Sequence, residues 1–263
     1  MRRDLAEARV SAVTDGGLPS GVAGVLARLA GVVEPLEAAG DPMRFFAATY
    51  ARTTRAVGER IAAGGFEDGG WVDRWDVAFA ELYLDAFDAH RRDPATAPWP
   101  WRLAFGARAD LPPLAHVLLG INAHVNYDLP QALLAVIDVA DFERPGVVAR
   151  RERDHRRIDD VLAARVGAED QVLRSQSVLS ALDRALAPLN RAASRRFLRE
   201  ARRKVWHNTR ELHVARVSGA EAYARRLGHL EVLSAARIRD LLAPGQVLLK
   251  LAVAGFGVTL PPE

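Results

Sequence analysis

Apolar side chains recur at three- and four-residue spacing through most of the chain, which predicts helices rather than strands. Ser20 is placed to cap a first helix running to about Ala39, weakened by Gly24 and Gly31 and open to a kink at Pro35. Asp41-Pro42 is a stronger start, because Asp accepts free amide hydrogens while Pro occupies a first-turn position that needs none. That second helix should reach Ala63 and stop at Gly64-Gly65. A third, from Trp71 to about His90, places Trp75, Phe79, Leu82, Tyr83 and Ala86 on one flank, with Asp76 beside it. From Arg91 to Pro113 the prolines Pro94, Pro98, Pro100, Pro112 and Pro113 mark a connector holding one short helix around Trp101 to Ala107, and Trp99 and Trp101 make it a packed one.

A long apolar segment then runs from Leu111 to Ile137. Further helices are expected at about 144–165, 169–186, 188–216 and 219–242, bounded by Gly167, Pro188, Ser218-Gly219 and Pro244-Gly245. Val247 to Val258 reads as a buried tail or short helix. The predicted fold is all-α, a bundle of about eight helices with a Pro/Trp-rich connector. It forms one domain over 1–263, and 91–111 is the place to divide it if there are two.

Composition narrows the chemistry. The 263 residues are 49% hydrophobic and 26% charged, an ordinary globular balance. Cysteine is absent, which excludes disulfides, thiolate metal sites and a cysteine nucleophile. All basic residues except Lys204 and Lys250 are Arg, so the sequence pI of about 9.7 at a net charge of +3 reflects arginine usage more than a polyanionic partner. No apolar run is long enough for a membrane span, and acids and Gly follow Met1-Arg2-Arg3 where a signal core would stand, so a cytoplasmic setting is expected.

One segment departs from the pattern. Between Leu118 and Leu129 the polar residues Asn122, His124, Asn126 and Asp128 interrupt an apolar run, and burying each without a partner costs roughly 1–3 kcal/mol. Alternation alone would suggest a strand. The long flanking apolar run instead favours a helix, in which His124 and Asp128 share one face and Asn122 and Asn126 form a second pair. His116 lies too far along the axis, roughly 12 Å, to share an ion with His124 comfortably.

The run Leu118-Leu119-Gly120-Ile121-Asn122-Ala123-His124-Val125-Asn126-Tyr127-Asp128-Leu129 resembles the signature of an uncharacterised family of helical proteins from high-GC bacteria, a domain of unknown function. Phe66-Glu67-Asp68, the Trp99 to Phe105 segment, Asp154-His155 and Arg202 to Trp206 are similar in order and spacing. The resemblance implies a helical fold and a role for His124, Asn126 and Asp128, but no reaction.

Two readings of His124 and Asp128 stand side by side. In one they are metal ligands or an acid/base pair, in a metal-dependent hydrolase holding a divalent ion through His124, Asp128, His155 and Asp76. In the other, Asp128 merely fixes the His124 tautomer within a closed core network. Asp154-His155 with Asp159 repeats the His-x-x-x-Asp spacing, although the surrounding arginines favour a solvated, salt-bridged face there. Asn122, Asn126, Arg202 and Trp206 are candidate ligand-binding residues, Arg202 reaching inward to a carboxylate such as Asp128. An alternative function is a non-enzymatic pocket for a small apolar molecule lined by Trp71, Trp75, Trp99 and Trp101. The 191–216 segment, nine Arg or Lys against Glu200 and Glu211, suggests nucleic-acid binding less well, because Phe197, Leu198, Val205, Trp206 and Leu212 interleave as core anchors. His90, His207, His213 and His229 are expected at the surface. No phosphate loop, Gly-x-Ser-x-Gly elbow or His-Glu-x-x-His helix is present.

Overall fold

The computed structural model describes residues 17–175, 181–243 and 257–261, with side chains at 17–165, 199–243 and 257–261. Among these residues the regular structure is helical, as the spacing predicts. The helices are α1 (Ser20–Ala38), α2 (Arg44–Ala62), α3 (Gly69–Arg92), α4 (Trp99–Phe105), α5 (Pro113–Ala123), α6 (Leu129–Val136), α7 (Val139–Phe142), α8 (Pro145–Ser175), α9 (Ala181–Ser218) and α10 (Ala220–Leu242). Five π-helical residues, His124–Asp128, join α5 to α6.

Helix starts follow side-chain chemistry, though not always that of the nearest residue. Asp68 accepts the Trp71 amide and so begins α3 ahead of the expected Trp71. Asp41 accepts the Met43 amide just before α2. The α1 terminus is capped from a distance: Asp73 of α3 accepts the Val22 amide at 2.9 Å and the Gly21 amide at 3.3 Å, the role expected of Ser20. A Cβ on Gly21 would lie 2.7 Å from that carboxylate, so the close approach requires glycine.

Two expected breaks are not breaks. The backbone stays helical through Gly167 in α8 and through Pro188 in α9, so the segments 144–165, 169–186 and 188–216 become two long helices. A single interior glycine costs only about 1 kcal/mol relative to alanine, too little to end a helix of 31 residues. Most of the Val247–Val258 tail, and residues 1–16, on which the expectation about a signal core rests, lie outside the described residues. What is described of the tail is buried: Val258 and Leu260 pack with Leu134, Leu212 and Leu230.

The α5–π–α6 segment is enclosed on several sides. α5 packs on α2, α4 and α10, α6 packs on α3 and α9, and the π-turn meets α3, α9 and α10. The Trp71 indole donates to the Val136 carbonyl at 3.1 Å, and Arg216 donates to the carbonyls of Leu134 and Ile137. These donors satisfy the α6 C-terminus and complement its dipole. One apolar cluster extends from Val25 of α1 to Leu241 of α10.

Candidate functional site

Proline explains where the helix widens. In a regular α-helix Pro130 would leave the Asn126 carbonyl without its donor and press its ring against it. Instead the Leu129 amide bonds to the His124 carbonyl, five residues back, and the Gln131 side chain donates to the Tyr127 carbonyl at 2.9 Å. Such π-turns occur mostly as single insertions in α-helices, often at functional sites.

All four polar residues of the segment are buried, with His124 at 3% exposure and Asp128 at 1%. Their compensation is specific. His124 Nδ1 lies 2.9 Å from Asp128 Oδ2, and the Trp101 indole donates to that same oxygen at 2.8 Å. Asn126 Oδ1 accepts the Val258 amide at 3.3 Å, and Asn208, which the sequence pattern did not single out, accepts the Leu260 amide and donates to the Val258 carbonyl. The two asparagines thus hold the C-terminal segment against the π-turn.

The His124 ring stacks on Phe79, centroids 3.5 Å apart, and meets the Tyr50 ring edge-on at 4.6 Å. Phe46 and Trp101 stand beside it. Gly120 permits this arrangement, since a Cβ there would lie 2.4 Å from the Phe46 ring. Burial holds the imidazole well below its usual pKa and the Asp128 carboxyl well above its own, the Trp101 donor acting against the latter.

His124 opens onto a cavity of about 100 Å³ between α2, α3, the π-turn and α8. An apolar cavity of 150 Å³ holds benzene, so this chamber takes a slightly smaller group. Its wall is mainly aromatic and aliphatic, with Thr49, Thr53 and Thr54 on the α2 side. Five buried polar atoms of its lining have no hydrogen-bond partner among the described residues: Tyr50 Oη, Thr54 Oγ1, Trp75 Nε1, Asp76 Oδ2 and His124 Nε2. Burial, reinforced by the charge of Asp73, raises the Asp76 pKa to about 8, so at neutral pH Asp76 is an acid able to donate a proton in a hydrogen bond. Asp76 thus belongs to the chamber, as its place beside the apolar flank suggested. On the α2 side Thr49, Thr53 and Thr54 interrupt the apolar face of Phe46, Tyr50 and Val57 at helical spacing, a pattern visible in the sequence that the polar run at 122–128 outweighs.

Several sequence expectations need correction. Arg202 does turn inward and is 4% exposed, but it donates to Asp159 at 2.6 Å and to the His155 carbonyl rather than to Asp128. The Asp154-His155 face is not solvated. Asp154 is fully buried and accepts the amides of Glu67 and Asp68 at 2.8 and 2.9 Å, tying together two of the segments that carry the family resemblance. Arg151 pairs with Asp68 at 2.6 Å and lies over Trp71. His155 packs between Trp75 and Trp206 and makes no hydrogen bond to Asp159, whose carboxylate Arg202 has taken. The expected metal set therefore does not assemble: among the described residues no three His, Asp or Glu side chains converge, and Asp128 Oδ2 is already engaged twice. Of the four tryptophans expected to line a pocket, Trp75 does so, Trp71 is core, Trp101 acts through Asp128, and Trp99 is half-buried with its amide on Glu231. His229 is exposed as expected, whereas His90, His207 and His213 are half-buried, and His213 stacks on Phe142 at 3.7 Å.

Sequence comparison supplies a family for this arrangement, the family of unknown function DUF5995, whose model matches residues 22–244. The chain belongs to the DUF5995 family. The matched span contains the chamber, the π-turn and the paired loops at Glu67-Asp68 and Asp154. No curated protein and no solved structure matches the chain. Among the described residues no helix is long and apolar enough to cross a membrane.

Proposed function

We propose that this DUF5995 chain binds a small, largely apolar molecule in the chamber beside the π-turn, with one polar group of the ligand placed against His124 and Asp76. The observation that carries this reading is the His124 Nε2 atom, buried and without a partner on the wall of an aromatic cavity. A closed core network would satisfy that atom as it satisfies Asp128 and Asn126. A ligand hydroxyl can serve both groups, accepting from the Asp76 acid while exchanging a hydrogen bond with the imidazole. Asp128 and Trp101 position His124 and need not touch the ligand. A metal-dependent hydrolase draws less support, because no three of its proposed ligands converge among the described residues. The 118–129 run, which builds the π-turn, is on this reading the signature of the family.

Cyclobutanol is smaller than benzene and carries a single hydroxyl, and isothermal titration measures its binding. The expected result is saturable one-to-one binding with a dissociation constant below about 1 mM, within the reach of a ligand this small. Ile121→Trp should fill the chamber and abolish it, and His124→Phe should weaken it at least severalfold while keeping the stacked ring. Absence of saturable binding, or binding indifferent to both changes, would overturn the proposal.

A further inference from the structure

A second cavity, of about 390 Å³, lies between α8 and α9 and shares only Arg202 with the chamber. Its chemistry is the opposite: arginines line it, and its two carboxylates are spent. Arg202 occupies Asp159, and Arg156 pairs with Glu152 at 3.2 Å. Arg203 and Arg210, both exposed, make no ion pair among the described residues. They stand seven residues apart on α9, two turns along the same side, with Trp206 between them.

Beneath this pair of free cations are two buried groups whose polar atoms lack partners: Trp206 Nε1, on a residue 6% exposed, and His155 Nε2, on one 2% exposed. An indole nitrogen only donates, so the cleft lacks an acceptor. Leaving such a donor buried and unsatisfied is unfavourable, and a bound anion relieves it.

We propose that this cleft binds a small phosphomonoester, its phosphate held between Arg203 and Arg210 and accepting the Trp206 indole N–H. Charge and geometry favour phosphate over carboxylate. A phosphomonoester carries about −1.5 to −2 at neutral pH, matching the two unpaired guanidinium groups, and offers three oxygens to two planar forks and one indole. A carboxylate brings one charge and two oxygens. The cleft is far larger than a bare phosphate, leaving room for an organic group against the rings of His155 and Trp206.

The test is isothermal titration of the full chain with phenyl phosphate, inorganic phosphate and acetate at low, matched ionic strength. Phenyl phosphate should bind saturably and more tightly than phosphate, with acetate at least tenfold weaker. The double variant Arg203→Gln/Arg210→Gln, altered only at exposed positions, should keep the wild-type circular dichroism spectrum and lose at least tenfold in affinity. Trp206→Phe, which keeps the ring but removes the donor, should lose severalfold. No saturable binding of either phosphate, acetate binding as tightly, or affinity unchanged in the double variant would each overturn the proposal. So would tight binding of an RNA oligonucleotide that millimolar phenyl phosphate fails to displace and the double variant abolishes, since that assigns the face to nucleic acid.

Discussion

Two histidine–aspartate pairs with identical spacing, His124 with Asp128 and His155 with Asp159, meet different fates. In the first the imidazole and carboxylate are 2.9 Å apart with Trp101 completing the set; in the second Arg202 claims the carboxylate and leaves the histidine between two indoles. Spacing brings both pairs to one helical face, but the neighbours decide whether they bond. Where the surroundings offer a neutral donor, the pair survives as a unit. Where they offer a guanidinium, the stronger charge-assisted partner wins.

The largest effect should come from removing the shared carboxylate of the first pair. Asp128→Ala leaves the Trp101 indole and His124 Nδ1 buried without a partner, and should cost on the order of 3–5 kcal/mol in urea denaturation. Asp128→Asn retains an acceptor and should cost less. Equal losses for the two would mean that side-chain volume, not hydrogen bonding, holds the pair together.

A smaller effect separates the chamber from the charged cleft by pH. Asp76 has its folded pKa raised to about 8, above the unfolded carboxyl value, so the folded state binds the extra proton. That contribution is fully present below about pH 4, declines as pH rises, and is gone above about pH 8. Asp76→Asn should therefore flatten the stability profile between these limits, so that the wild type but not the variant loses stability as pH rises. Parallel profiles for wild type and variant would refute a buried, protonated Asp76.

The least change is expected from Arg202→Met, which turns the second pair toward the first. Burial and then Arg202 hold the His155 pKa well below its ordinary value. With the guanidinium gone and Asp159 released, that pKa should rise, as followed by NMR titration of the imidazole, at a modest cost in thermal stability. An unmoved His155 would show that burial alone sets its protonation.

Much of this architecture was legible in the sequence, because it rests on local rules. The apolar spacing of α3 placed Trp75 and Phe79 correctly, and four polar residues in an apolar run implied burial with specific partners. What was not legible depends on contacts distant in sequence. Asp73 caps α1 from 51 residues away, Asn208 secures the C-terminal segment, and Asp154 serves the amides at Glu67 and Asp68. The arginines around His155 read as solvated because charge usually marks surface, yet Arg151 and Arg202 are buried through paired carboxylates. The two-residue alternation in 122–128 fits neither strand nor α-helix, and the reason, Pro130, lies just beyond it.

The π-turn makes the segment one residue longer than its span requires. A plain α-helix turns about 100° with each residue, so a deletion within α5, between Pro113 and Ala123, would swing Leu129 and Leu133 away from α3 and α9. A deletion inside His124–Asp128 would instead let those leucines keep their orientation once Pro130 is replaced as well, because a closed α-turn presses the proline ring against the carbonyl four residues back. The molecule therefore holds its scaffold and its imidazole–carboxylate contact under separate control, and a descendant that lost the contact in this way could keep its shape.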